Sequence, residues 1–393
     1  MPTAVVRLDV DSLLRTLQLP AHYDRALIVM TVNGRVVAQR DIPVVGGLLA
    51  DEALRDLVES AAGAAIARHR LEAWLGVDAA DVTNMPRATV AICTRDRLDD
   101  LDRCLRALAV LPEQGQEVLV VDSASREGDA VRALVAQHAG VRYVREERAG
   151  LDIARNRALR DARNEVVVFC DDDAEVDQGW LHALCKNFID PRVLCVTGLI
   201  LPLELETPAQ EWFERTNGFS RGFERVRHDG VEHDAFFVSR IGAGASMALR
   251  RSVLDSIGPF DEALDAGTLT RSGGDHDYFT RILAAGYCIV YEPAALSWHR
   301  HRREWHELRT AVHGYGTGVW AYLTRQLLGG EPRAIVVALG WMRWQLTGVL
   351  KGVLGLRTLL PIDLAIAEIR GCLAGPGAYL RARRLSERAR SRG

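Results

Sequence analysis

The sequence predicts an α/β protein: a sheet of short apolar strands covered on both faces by helices, with a small α+β unit before it and a helical extension after it. Three observations lead there. From Arg87 onward, Val/Ile/Leu runs alternate with helical stretches, the pattern of strands buried on both faces of a parallel sheet. The 393 residues are 48% apolar and 26% charged with a formal net charge of −3, which suits a sizeable core and argues against disorder or whole-protein attraction to nucleic acid. Ahead of Pro86, hairpin and helix signals stand by themselves.

Residues 26–43 hold two β-rich runs around Asn33-Gly34, a dipeptide that tolerates the left-handed backbone of a primed two-residue turn. Asp51 to His69 then place Leu54, Leu57, Val58, Ala61 and Ala65 at helical spacing. This unit, residues 1–85, carries no recognisable chemistry. The following region, residues 86–310, opens with ATVAICT, a helix in DDLDRCLRALAVL, EVLVVD, a helix in DAVRALVAQH, VRYV, a helix in LDIARNRALRDA, and VVVFC. Residues 311–393 form the extension. Its Gly-rich, apolar first part is interrupted by Arg325, Arg333, Arg343 and Lys351, which argues against a membrane span of roughly 20 residues and for amphipathic helices. The tail from Arg381 to Arg392 is basic and is either a solvated end or a contact for an anionic membrane surface.

Seven cysteines without a CxxC pair read as buried thiols of a reducing compartment. Asp9 and Asp11, with no continuous apolar run around them, argue against a cleavable signal peptide. The expected location is the cytoplasm, with any peripheral contact at the inner face of the cell membrane.

Parallel sheets bind ligands at the carboxyl ends of their strands, and here those ends carry reactive side chains. Thr94, Arg95 and Asp96 follow the first strand, Asp122 and Ser123 the second, and Asp171, Asp172 and Asp173 the fourth. Three adjacent carboxylates repel one another unless a divalent cation or strong donors neutralise them, and oxygen ligands of this kind suit Mg2+ or Mn2+ shared with a diphosphate. The plainer alternative is an acidic loop capping the helix around residues 180–187. Asp122 can accept a hydrogen bond from a base or ribose, or simply form a turn. Arg155 sits near a helix start, where a cation and backbone N–H groups face an anion together, unless it is a surface arginine. Asp275 and Asp277 either cap the helix after Gly273-Gly274 or offer a general base for an acceptor hydroxyl. His299, flanked by Arg300, Arg302 and Arg303, is a metal ligand, a diphosphate clamp or a structural histidine.

From about Arg87 to Arg303, the order of these motifs resembles the family 2 glycosyltransferases. TRDR from Thr94 is similar to the family's opening nucleotide contact, VVDSAS from Val120 to its base-binding turn and GLDIARNRAL to its Gly-x-x-x-Ala-Arg-Asn segment. FCDDDAEVDQGWL is similar to its DxD motif, RRSVLDSIGPFDEAL to its acceptor-side stretch and GGDHDYFTRILAAGYCIVYEP to its ED-type motif. At Gly274 the chain departs from the pattern, because many members carry Glu there. The resemblance implies the GT-A fold (a Rossmann-like, mixed sheet covered by helices) and inverting transfer from a nucleotide diphosphate sugar to a glycan, lipid-linked or small-molecule acceptor. It also implies a bridging Mg2+ or Mn2+. By the same resemblance Asp173 holds the metal and Asp171 and Asp172 compete for the second-ligand and ribose roles, while His299 is a candidate metal ligand from its own position. Thr94, Arg95, Asp96, Asp122, Arg155, Asp171 and Asp172 contact the nucleotide sugar, and Asp275 is the base with Asp277 behind it.

Rival readings fit less well. A phosphohydrolase with an aspartate nucleophile expects its DxD after an early strand with a Thr soon after, whereas Ala174 and Glu175 follow here. No GxGxxG follows either of the first two strands, as a dinucleotide-dependent dehydrogenase requires. A nucleotidyltransferase wants a glycine-rich loop where residues 94–98 have no glycine. A non-catalytic sugar-nucleotide binder of the same fold remains the alternative from a different class, and donor turnover separates the two.

Overall fold

The computed structural model describes residues 2–12, 15–76, 85–232, 234–236, 238–353 and 361–391. Its N-terminal unit comprises β1 (Thr3–Asp9), β2 (Leu17–Gln18), β3 (Arg25–Val32), β4 (Arg35–Pro43), β5 (Leu48–Leu49) and α1 (Asp51–Trp74). The expected hairpin joins β3 to β4: Asn33 and Gly34 have φ of 50° and 76°, both left-handed as a type I′ turn requires. Side chains alternate across β3. Ala26, Ile28 and Met30 face α1, which buries Leu54, Val58, Ala62 and Ile66. Leu57, Ala61 and Ala65 of the expected stripe are partly buried beside them. On the opposite face, Leu27 and Val29 pack with Leu199, Leu201, Tyr291 and Trp298, so this unit shares apolar surface with the main sheet.

The main region runs β6 (Ala88–Thr94), α2 (Leu98–Ala109), β7 (Glu117–Ser123), α3 (Gly128–Val135), β8 (Val141–Glu146), α4 (Leu151–Asp161), β9 (Val166–Asp171), β10 (Ala174–Val176), α5 (Trp180–Cys185), β11 (Val193–Pro202), α6 (Pro208–Asn217), β12 (Val226–Asp229), β13 (Ser246–Arg250), α7 (Val253–Ser256), α8 (Gly274–Ala284) and β14 (Cys288–His299). The strands order as β10-β14-β11-β13-β9-β6-β7-β8, with β12 on the outer side of β14. β9, β6, β7 and β8 are mutually parallel, whereas β13 runs antiparallel to both β9 and β11, so the sheet is mixed. Alternation along buried strands divides the core. Val90, Ile92 and Val168 face Leu101, Leu105 and Trp180, while Ala91 and Phe169 face Leu159, Phe260 and Tyr278.

Three helices follow: α9 (Trp305–Leu328), α10 (Arg333–Val353) and α11 (Ile362–Arg390). Helix α9 starts before residue 310 and crosses the point expected to divide the extension from the sheet region. It runs alongside α11 in the same direction: Trp305 Nε1 donates to Asp363 Oδ2 at 2.7 Å, and Arg325 and Tyr379 further along both reach Asp261. Among the described residues, no helix is long and apolar enough to cross a membrane.

Candidate active site

The acidic triplet meets His299 because of where the chain goes after β9. From Asp171 it turns through Asp172 and Asp173, and β10 then pairs antiparallel with the end of β14, setting Ala174 opposite His299. Arg300 N donates to Asp173 O at 3.1 Å and closes the junction. Strand β14 continues to His299, with an irregularity in its pairing to β11 between Glu292 and Leu296. One ligand atom each from Asp171, Asp173 and His299 lies within 4.8 Å of the others. His299 Nε2 stands 3.1 Å from Asp173 Oδ1 and 4.0 Å from Asp171 Oδ2.

The three carboxylates have different surroundings. Asp173 is buried, which by itself would raise its pKa; the His299 ring, with Arg97 and Arg302, outweighs this and holds it well below the usual carboxylate range. Burial pulls His299 down, but Asp173 and Asp171 lift it above its ordinary value. Asp172 accepts from Thr94 Oγ1 at 2.7 Å and from Arg97 Nη1 at 2.8 Å. Burial still pushes it up to about 7, with Arg97 opposing and Asp173 adding to the shift. Burial and then Asp173 raise Asp171, against His299 and Arg155. Arg97 Nη2 also donates to Asp173 Oδ2 at 2.8 Å, so one guanidinium clamps two of the three acids.

A divalent cation suits this donor set. Two carboxylates and an imidazole are ligands that a borderline-hard ion such as Mn2+ accepts. Asp173 Oδ1 is buried and has no aligned hydrogen-bond donor although His299 Nε2 is close, and a buried acceptor left in that state costs free energy.

In the loop after β6, Asp96 adopts a left-handed backbone with φ of 56°. Its N–H donates to Ser125 Oγ at 3.1 Å, and its Oδ1 accepts from Arg126 N at 2.7 Å, which ties the loop after β6 to the loop after β7. Between these loops lies an open cavity of about 660 Å³ lined by Asp96, Arg97, Asp100, Ser125 and Arg126 among others. Arg95 is largely exposed, 3.9 Å from Asp96. Asp122 is fully buried and accepts from Ser125 N (2.9 Å), Tyr143 Oη (2.8 Å) and Arg145 Nη1 (2.8 Å). Its carboxylate is therefore engaged inside the protein and is not presented to the cavity.

Arg155 is buried rather than superficial. Its Nη1 donates to Asp152 Oδ1 at 3.0 Å and to Asp265 Oδ2 at 2.9 Å, and its charge also acts on Asp171 and Asp275. Asp275 opens α8, the helix starting one residue earlier than its first aspartate. Oδ2 accepts from Gly244 N at 3.1 Å, and Oδ1 accepts from His276 N at 2.8 Å and faces His276 Nδ1 at 3.0 Å. Burial opposes ionisation there, but His276, Arg155 and the Gly244 N–H hold Asp275 well below the ordinary range. Asp277 is turned away into another network. Its side chain, fully buried, accepts from Arg281 Nε (2.9 Å) and Gln326 Nε2 (2.9 Å) and pairs with Arg325 Nη1 at 2.8 Å, joining α8 to α9.

Sequence reasoning missed several neighbours. Arg97 was visible in the TRDR run but nothing marked it as the partner of the triplet. Asp152, Asp265 and His276 gave no local signal, since each matters through a contact with a distant element. Tyr315 belongs to α9, outside the expected sheet region. The departure at Gly274 also has a physical cause: a Cβ there would lie 2.1 Å from Asp152 Oδ2.

Residues 89–258 match the sequence model of glycosyl transferase family 2. The chain is 29% identical over 269 residues to a pre-mycofactocin glycosyltransferase of Mycobacterium tuberculosis, covering 67% of this chain and 53% of that protein. It is 27% identical over 169 residues to a probable N-acetylgalactosaminyltransferase 9 of Caenorhabditis elegans, covering 39% of this chain and 29% of the other. It thus spans about half the length of the first relative and less of the second. Among solved structures, a mannosyltransferase from Pyrobaculum calidifontis in complex with GDP-Man and Mn2+ superposes with a TM-score of 0.52 at 19% identity, over 75% of this chain and 88% of that one. The ordered motifs, the mixed sheet and these matches agree: residues 89–258 form a glycosyl transferase family 2 region.

Proposed function

We propose that the protein transfers a sugar from a nucleoside diphosphate to an acceptor hydroxyl with inversion, aided by a divalent cation, with Asp275 as the general base. The observation that carries this reading is the convergence of Asp171, Asp173 and His299 ligand atoms at the carboxyl end of the sheet. Asp171, Asp173 and His299 would hold the cation, which supplies charge neutralisation for the departing diphosphate; Mn2+ suits the imidazole better than Mg2+ does. Asp277, engaged with three partners, is assigned a structural role.

The chain's own groups do the rest. Thr94 and Arg97 hold Asp172 beside the phosphates' expected place, and the cavity between Asp96 and Arg126 offers room for the nucleoside. Asp275 is a carboxylate at neutral pH and takes the proton of the acceptor hydroxyl as that oxygen bonds the anomeric carbon and the carbon–phosphate oxygen bond breaks. Both of its oxygens already accept hydrogen bonds from backbone N–H groups, which fixes its orientation. A thermal-shift panel of UDP-, GDP- and dTDP-sugars with and without Mn2+ tests the donor class, because a ligand that binds the folded state raises its apparent stability. Cation-independent binding of every donor would refute the metal assignment. Asp275→Asn should keep donor affinity and lose transfer. A donor that binds but is never turned over by the unmodified protein would favour the non-catalytic binder.

The acceptor side includes a membrane surface in this reading. The outward face of α10 carries Val336, Leu339, Leu346 and Leu350, exposed by 71%, 61%, 58% and 59%. Between Glu331 and Asp363 the sequence holds four cations and no anion, with Trp341 and Trp344 among the apolar residues. A helix apolar on its outer face, basic and Trp-bearing suits the headgroup region of an anionic bilayer. The basic residues at the end of α11 add to that attraction.

A further inference from the structure

Asp152 is fully buried in the first turn of α4, yet only one of its oxygens is hydrogen-bonded. Oδ1 accepts from Arg155, while Oδ2 has no partner. That free oxygen lies against the backbone of Gly274, where any side chain would collide with it. Arg155, clamped between Asp152 and Asp265, presses its Nη2 onto Gly244, so that a Cβ there would sit 2.6 Å away. Gly244 is the residue whose N–H donates to Asp275 Oδ2. Asp152 thus touches the supports of Asp275 from two directions: the peptide preceding it, directly, and the Gly244 loop, through Arg155. A buried, half-satisfied carboxylate is costly to keep, and packing alone gives no reason for one here, since an apolar side chain of similar size would fill the space.

We propose that Asp152 is a positioning residue for the reaction inferred above. It holds Arg155 against the Gly244 loop and Gly274 against its own carboxylate, so that Asp275 is fixed in the direction of the acceptor hydroxyl. It touches neither donor nor cation. Gly274 fits this arrangement: the carboxylate that stands beside Asp275 comes from α4 rather than from α8, and a side chain at 274 would have to displace it.

Asp152→Asn should lower kcat roughly 10- to 100-fold, the scale of a misplacement of about 1 Å in a reacting group, while the donor and acceptor KM values stay within about threefold, since no binding contact is removed. Moving the carboxylate across the interface, in Asp152→Ala/Gly274→Glu, should recover at least about tenfold of the kcat lost in Asp152→Ala. A folded Asp152→Asn with kcat within twofold of the unmodified protein overturns the proposal, as does a folded double variant no better than Asp152→Ala. If neither variant folds, Asp152 is a structural residue and the proposal fails. A second readout does not depend on turnover. The His276 ring, which faces Asp275, Arg221 and Asp265, can be titrated by NMR in histidine-labelled protein. In Asp152→Asn its pKa should fall as Asp275 loosens, and an unchanged titration counts against the proposal. Should the unmodified protein transfer no sugar from any donor, the proposed function fails, and the His276 titration still decides the role of Asp152.

Discussion

Asp277 stands two residues from Asp275 in the same motif, and removing its side chain should reveal what it does. In Asp277→Ala, Arg281 and Gln326 each lose a hydrogen bond of 2.9 Å and Arg325 loses an ion pair at 2.8 Å. Breaking a buried ion pair from one side costs about 3–5 kcal/mol, because the cations left behind are poorly solvated. Here both arginines keep other partners: Arg281 donates to Ile257 O and Pro259 O, and Arg325 to Asp261. Both are also partly open to solvent. The lower end therefore applies, about 3 kcal/mol. Urea unfolding read by circular dichroism measures it, with the midpoint lowered and the slope unchanged. Below its new melting temperature, the variant should transfer sugar at nearly the original rate. A loss smaller than about 1 kcal/mol, the range of ordinary substitutions, would refute the argument. So would a stable variant without transfer, which would move catalysis from Asp275 to Asp277.

Stability without a cation should depend on pH around the acidic cluster. Asp172 is lifted to about 7 and His299 above its ordinary value, so the folded state binds more protons than the unfolded chain as pH rises from about 6 to 8, and stability falls across that window. Mn2+ should flatten the fall, since it competes with those protons; differential scanning calorimetry at pH 6, 7 and 8, with chelator or Mn2+, would show it, and parallel curves would contradict it. His299→Ala should weaken Mn2+ binding at least about tenfold, on the scale of losing one ligand-sphere interaction, and should lower the metal-free melting temperature because buried Asp173 loses a counter-charge; calorimetric titration with equal affinity would remove His299 from the site. Leu339→Asp/Leu346→Asp should abolish flotation with vesicles containing phosphatidylglycerol and leave donor binding intact, whereas equal flotation would place the membrane contact elsewhere.

Much of the fold was legible because burial on both faces of a sheet writes itself as apolar runs of the right length. ATVAICT, EVLVVD and VVVFC became β6, β7 and β9 with their reactive residues at the carboxyl ends, and Asn33-Gly34 made its hairpin because few dipeptides accept two left-handed residues in succession. The triplet's chemistry was equally local, since three adjacent carboxylates repel wherever they are placed. What only the tertiary structure decided were relations between segments far apart in the chain. Asp122 and Asp277 look like ligand contacts in a string of letters, but Arg145, Tyr143, Arg281 and Arg325 engage them from other elements. Arg97 reaches Asp172 and Asp173 across more than seventy residues, and His299 joins them only because β10 pairs with the end of β14. A sequence records each side chain's charge and volume, whereas the energy of a buried charge depends on which opposite charge the fold brings within hydrogen-bonding distance.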